Sequence, residues 1–206
     1  DVLNKDFCII LDRNSDMDTY KKIFEYLGLS LNIYKDQNLV IENDILIIKN
    51  IISFILCIYN KEDREKINYY FISIARSFVE ELSDEEIFKF LNSSIYETDI
   101  YQKCFKIALN LEEKTINIIL NEIYEEFNFY ENIIKIGDVK AGLTRLDFLL
   151  NMANSAENLG YTIQDFKNYL EDIIEKKKEI RYKEQSDTDN SIRIMNIHKS
   201  KGLEFP

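Results

Sequence analysis

Apolar and polar positions along the chain alternate with two different periods. Phe7 to Leu11 is a continuous apolar run with the look of a buried parallel strand, and Arg13, Asn14, Ser15 and Asp16 follow as a polar turn that can cap a helix. Met17, Tyr20, Ile23, Phe24 and Leu27 then recur every three and four residues up to Gly28, where a left-handed C-cap is expected. A short strand over Leu31 to Tyr34 completes a strand, helix, strand unit. Ile41 to Tyr59 is apolar on nearly every face, so it predicts a helix buried on several sides, a hub between two parts of the molecule.

From about Lys61 to Lys178 the helical period dominates. Ser83 followed by Glu86 is a capping box opening a helix over Asp84 to Leu91. Ile116, Ile119, Leu120, Ile123 and Phe127 form one stripe, and Leu146, Leu149, Leu150, Ala153 and Ala156 form another. Gly160 closes the second of these helices. Thr162 with Asp165 caps the next, whose stripe is Ile163, Phe166, Leu170, Ile173 and Ile174. The polar stretch Glu175 to Asn190 reads as a helix end and a mobile linker. A β-branched, apolar run returns at Ile192, Ile194 and Ile197, a strand expected to pair beside Phe7 to Leu11.

Composition narrows this picture. Five glycines and one proline in 206 residues leave few turn-formers, which disfavours a sandwich or barrel and favours long helices. The expected fold is mostly α, with a small α/β element of few parallel strands. The cysteines Cys8, Cys57 and Cys104 are widely spaced and set among apolar residues, so neither a disulfide framework nor a zinc site is suggested, and a reducing cytoplasm fits. The longest apolar run, Ile51 to Tyr59, falls well short of the roughly 20 residues of a membrane span. A net charge of −11 argues against a free-standing nucleic-acid binder, so any DNA contact must be local. The aromatic residues Tyr69, Tyr70, Phe71, Tyr124, Phe127, Phe129 and Tyr130 could stack bases, but helical core is the stronger reading.

The residues that carry chemistry close the chain. After the final strand come His198, the only histidine, then Lys199, Ser200, Lys201, Gly202, Leu203, Glu204, Phe205 and Pro206. This HKSKGLEFP block resembles the fifth motif of the superfamily 1 DNA helicases of the UvrD/Rep/RecB group, which carry His-x-x-Lys-Gly-Leu-Glu-Phe-Pro after a buried strand. DFCIILDRNSDMDTYKKIFEYLGLSLNIY resembles a further segment of that group, with Gly28 to Leu31 in its turn and the usual proline missing. ARSFVEELSDEEIFKFL is similar to a stretch of the AddA branch, matched by Arg76, Ser77, Leu82, Ser83, Asp84, Glu85 and Glu86, while Phe78 and Glu81 replace its proline and glycine.

The resemblance implies a fragment of an ATP-dependent helicase/nuclease subunit of double-strand break repair. Residues 1–60 and 191–206 would belong to the second RecA-like motor domain, and residues 61–190 would be its helical insertion. His198, Lys199, Lys201, Asn196 and Arg13 are then the expected DNA contacts, Asn196 standing where the family carries threonine. Gly202 and Glu204 are the expected nucleotide contacts, with Glu204 accepting from the sugar hydroxyl. ATP and Mg²⁺ would serve the parent protein. The chain holds no phosphate-cradling Gly-Lys-Ser/Thr loop, so no catalysis and no bound cofactor are expected of it alone. The partners implied are a tracked single strand, duplex near the insertion and a partner nuclease subunit, with no membrane. A helical protein-interaction module without motor function is the alternative. Beginning at Asp1 and stopping at Pro206, the chain is expected to be a piece of a longer protein.

Overall fold

The computed structural model describes residues 3–34, 36–38, 42–137, 139–175, 181–183 and 190–201. The fold is mostly α with a small parallel sheet, as the patterning requires. The chain divides into two compact units, Asp1–Asn38 with Arg181–Pro206, and Leu39–Ile180.

The first unit is built on β1 (Cys8–Leu11), α1 (Met17–Tyr26), β2 (Leu31–Tyr34) and β5 (Ile192–Asn196). The sheet order is β1-β5-β2, and both pairings are parallel. The strand from the far end of the sequence therefore lies in the middle, with Ile9, Ile194 and Ile33 in one register row. Ile194 and Met195 are fully buried there. Two strands joined by one crossover helix are thus not neighbours, because β5 fills the place between them. Two short strands, β3 (Asp36–Asn38) and β4 (Arg181–Lys183), pair antiparallel as a second sheet. The polar stretch expected as linker thus contains a strand, since backbone pairing needs no apolar side chains. Met17 of α1 is fully buried, but Ile23 and Leu27 of its expected stripe are 49% and 61% exposed. Gly28 ends the helix at φ +71°, a conformation an L side chain disfavours.

The second unit is helical. Its centre is α2 (Asn43–Tyr59), with Ile45, Ile48, Ile51, Ile52, Phe54, Ile55, Leu56 and Ile58 all buried. Around it pack α3 (Arg64–Ala75), α5 (Asp99–Ala108), α8 (Val139–Asn158) and α9 (Ile163–Glu175), so its role as a hub is played among the helices of its own unit. Completing the layer are α4 (Asp84–Asn92), α6 (Ile116–Glu126) and the short α7 (Phe129–Asn132). Phe71, Tyr124, Phe127 and Phe129 are core residues, whereas Tyr69 is 67% and Tyr130 47% exposed.

A buried ion pair ties α2 to α8. Arg145 Nε donates to Asp44 Oδ2 at 2.7 Å, and the two side chains are 6% and 0% exposed. The second carboxylate oxygen of Asp44 accepts from the Ile45 amide at 2.9 Å, in the first turn of α2, where a negative charge is favoured. Both expected capping boxes are present. Ser83 and Thr162 accept from the amides of Glu86 and Asp165 at 3.3 and 3.2 Å, and the two carboxylates accept back from the Ser83 and Thr162 amides at 2.9 Å each.

Arg145→Leu strands the Asp44 carboxylate in an apolar interior and should lower unfolding stability by about 3–5 kcal/mol, read from urea denaturation. The double variant Asp44→Leu/Arg145→Leu should recover a large part of that loss. The caps carry a pH dependence of definite sign. Hydrogen bonds from the Ser83 and Thr162 hydroxyls, then from their amides, hold the Glu86 and Asp165 carboxyls below their ordinary values. Their contribution is complete above the ordinary carboxylate range and lost as pH falls through the depressed values. Carboxyl titration by NMR should give both groups low midpoints, and Ser83→Ala should bring that of Glu86 back toward the ordinary value.

Candidate functional site

Three parallel strands point their carboxyl ends the same way, and the described part of the closing segment, up to Lys201, begins at that edge. Ligands in open parallel sheets bind outside the carboxyl ends of the strands, where loops diverge and helix amino ends converge. Leu11 at the end of β1 is in register with Asn196 at the end of β5. The residues that follow each strand, Asp12 and Arg13 on one side and Ile197 onward on the other, therefore leave the sheet side by side.

Beyond β5 the backbone turns at once into a single helical turn, α10 (Ile197–Ser200), closed by the Ser200 hydroxyl donating to the Ile197 carbonyl at 2.9 Å. The sequence pattern continues the strand through Ile197 and places a loop at His198. The structure instead ends the strand at Asn196, with Ile197 54% exposed and opening the turn. Once β5 has run past its partners, further extension would leave its amides unpaired, whereas a turn gives them local acceptors. α10 packs against both β5 and β1.

His198 and Lys201 are exposed, and Asn196 is half-buried and engaged in an interaction of its own. Lys199 lies within α10. Arg13 stands 3.7 Å from Asp12, both side chains more than four-fifths exposed at 82% and 83%, so the contact is a solvated surface pair of small energetic weight. The expected nucleotide contacts Gly202 and Glu204 lie outside the described residues. The arrangement thus brings Arg13, Asn196 and His198 to one sheet edge, followed by Lys201. Such a group of donors and cations suits hydrogen bonds to phosphate oxygens.

Arg193 is a residue that sequence reasoning passes over. It sits in the central strand, in one register row with Cys8 and Asn32, on the face opposite Ile9, Ile194 and Ile33. Burial pushes the Cys8 thiol above its ordinary value and the Arg193 guanidinium pulls part of that back. The available signal was one arginine between the isoleucines of the strand.

No family model matches the chain. Parts of it are similar to curated proteins named as ATP-dependent helicase/nuclease subunits. The one from Lachnoclostridium phytofermentans is 38% identical over 105 residues, covering 47% of this chain and 7% of the relative. That from Staphylococcus epidermidis is 25% identical over 141 residues, covering 68% of this chain and 11% of the relative. That from Lactobacillus johnsonii is 28% identical over 118 residues, covering 53% and 10%. The chain thus matches about a tenth of the length of these relatives, or less.

Ile194 holds the whole edge in place from the middle of the sheet. Ile194→Ala removes three methyl or methylene groups from a fully buried site and should cost about 2–5 kcal/mol. Hydrogen exchange should show the β1 and β2 amides losing protection together with those of β5, while the amides of α2 keep theirs.

Proposed function

We propose that this chain is part of an ATP-dependent DNA helicase/nuclease of the AddA type, contributing a strand-and-motif element of its second motor domain together with a helical insertion. The observation that carries this reading is the His198 to Pro206 signature in the sequence, whose described part, His198 to Lys201, begins at the sheet edge. It follows directly from the central strand of a parallel sheet, the position from which a motif can reach both a nucleotide and a nucleic-acid strand. The relatives named as helicase/nuclease subunits support the same reading.

On this reading the parent protein tracks one DNA strand past the sheet edge. His198 donates an imidazole or backbone N–H to a phosphate oxygen, Lys201 adds a local positive charge, and Arg13 reaches the same path from β1. Local cations suffice because the contact is with a few phosphates at a time, which reconciles DNA binding with a chain of net charge −11. The residues present do not make a whole nucleotide site. The sequence has no Gly-Lys-Ser/Thr phosphate loop, and Gly202 and Glu204 would supply only one side of the sugar and phosphate contacts. No step of ATP hydrolysis is assigned to this chain. ATP and Mg²⁺ belong to a cleft whose other wall is elsewhere in the parent. A duplex ahead of the motor and a partner nuclease subunit complete the assembly, in the cytoplasm.

The full-length parent with His198→Ala should lose one charge-assisted hydrogen bond to the backbone, about 1.5 kcal/mol, and so about tenfold in DNA-stimulated ATP turnover. Lys201→Ala should act in the same direction and flatten the salt dependence, its defect relative to wild type shrinking as salt is raised. The 206-residue chain alone should release no phosphate from ATP with single-stranded DNA present. Unchanged DNA stimulation in both variants would remove the motor reading.

A further inference from the structure

Charge is divided unevenly along the chain. Residues 39–180 hold 26 Asp and Glu against 16 Lys and Arg, so this unit carries −10 of the net −11. On its surface lies a continuous aromatic stripe. Tyr101 and Phe105 lie one turn apart on α5, away from the buried Ile100, Cys104 and Ile107, and Leu109 follows as the residue that ends the helix. The Tyr101 ring stacks on Phe105 at 6.1 Å and 13°, and Tyr96 meets Tyr101 edge-on at 5.0 Å. Phe54 of α2 braces Tyr101 from beneath at 6.2 Å. Tyr96, Phe105 and Leu109 remain 47%, 42% and 53% exposed, so the ladder is rigid yet open to solvent.

One flank of this stripe is an acidic wall. Lys106, beside Phe105, pairs with Glu126, and its ammonium is held above its ordinary value by that hydrogen bond and by the charges of Glu126, Glu122 and Glu125. Lys114 is likewise engaged by Glu122 at 2.7 Å. Two ammonium groups against three carboxylates leave the wall negative. Rigid aromatic rings in an exposed cluster are what protein interfaces bury at their centres.

We propose that the α5 stripe, Tyr96, Tyr101, Phe105 and Leu109, with its Glu122, Glu125 and Glu126 wall, is a docking surface for a basic amphipathic helix of a partner protein. Its apolar seam covers the rings while its lysines or arginines face the wall. Nucleic acid is disfavoured, since its phosphates would meet carboxylates rather than cations. A second copy is disfavoured for the same reason, as it would bring wall against wall. The proposal goes beyond the motor reading and does not depend on it, because the binding test below reads no ATP turnover.

The test uses the full-length protein that carries this chain and three fluorescent probes. These are a synthetic helix with leucine at heptad positions a and d and lysine at e and g, the same helix with glutamate at e and g, and a single-stranded oligonucleotide. The lysine helix should bind and the glutamate helix should not. Tyr96→Ser/Phe105→Ser should weaken the lysine helix by about tenfold or more. Glu125→Lys, an exposed position that leaves the core intact, should weaken it and flatten its salt dependence. Leu159→Ser, at a residue 74% exposed outside the stripe, should change nothing. Lysine-helix affinity equal in the wild type, the double serine variant and Glu125→Lys would overturn the proposal. So would displacement of the lysine helix by the oligonucleotide with the same variants weakening the oligonucleotide.

Discussion

The sheet of the first unit depends on one pairing made across almost the whole sequence. β5 lies between β1 and β2, and without it those two strands have no partner in that sheet. Strands pair through their backbone amides and carbonyls, so the three-stranded sheet is complete only when Ile192 lies beside Leu31 and Arg193 beside Cys8. Interposing 142 residues between the two halves is compatible with stability because closure entropy rises only with the logarithm of loop length, about 0.6 kcal/mol for each doubling. The insertion also has a core of its own, which removes most of its chain from that closure.

That core is organised by α2 and fastened by Asp44 and Arg145. A helix apolar on nearly all sides has no preferred face, so hydrophobicity alone leaves its rotation loosely specified. One charged pair at its first turn, closed to 2.7 Å, permits a single rotation and a single match to α8. The pair gains little net energy over an apolar substitute, because two charges lose their water, and its value here is in specifying geometry. The cap hydrogen bonds at Ser83 and Thr162 fix where α4 and α9 begin by satisfying amides of their first turns.

Charge distribution links the fold to the two functional readings. Exposed His198, Arg13 and Lys201 belong to the near-neutral α/β unit, while the helical unit carries a large acidic excess and displays an exposed aromatic cluster. A surface for phosphate and a surface for a basic helix call for opposite fields, and the chain keeps them on different units.

Helical periodicity was strong enough to locate most elements, since α6, α8 and α9 bury the stripes their sequence displays and Gly28 and Gly160 end helices at positive φ as short-range sterics require. The signature at His198 and the strand before it were equally legible, because motif and period are local properties. Local patterns carry no information about who lies beside whom. The insertion of β5 between β1 and β2, the antiparallel pairing of polar β3 and β4, the turn that replaces strand at Ile197, and the side-by-side exit of the segments carrying Arg13 and His198 were decided by tertiary pairing. The same holds for Asp44 and Arg145, separated by 101 positions, whose partnership follows from helix packing. Sequence by itself thus determined the elements and the kind of chemistry, through short-range sterics and periodicity. Tertiary structure alone decided neighbours and faces, since those depend on long-range burial and hydrogen-bond satisfaction.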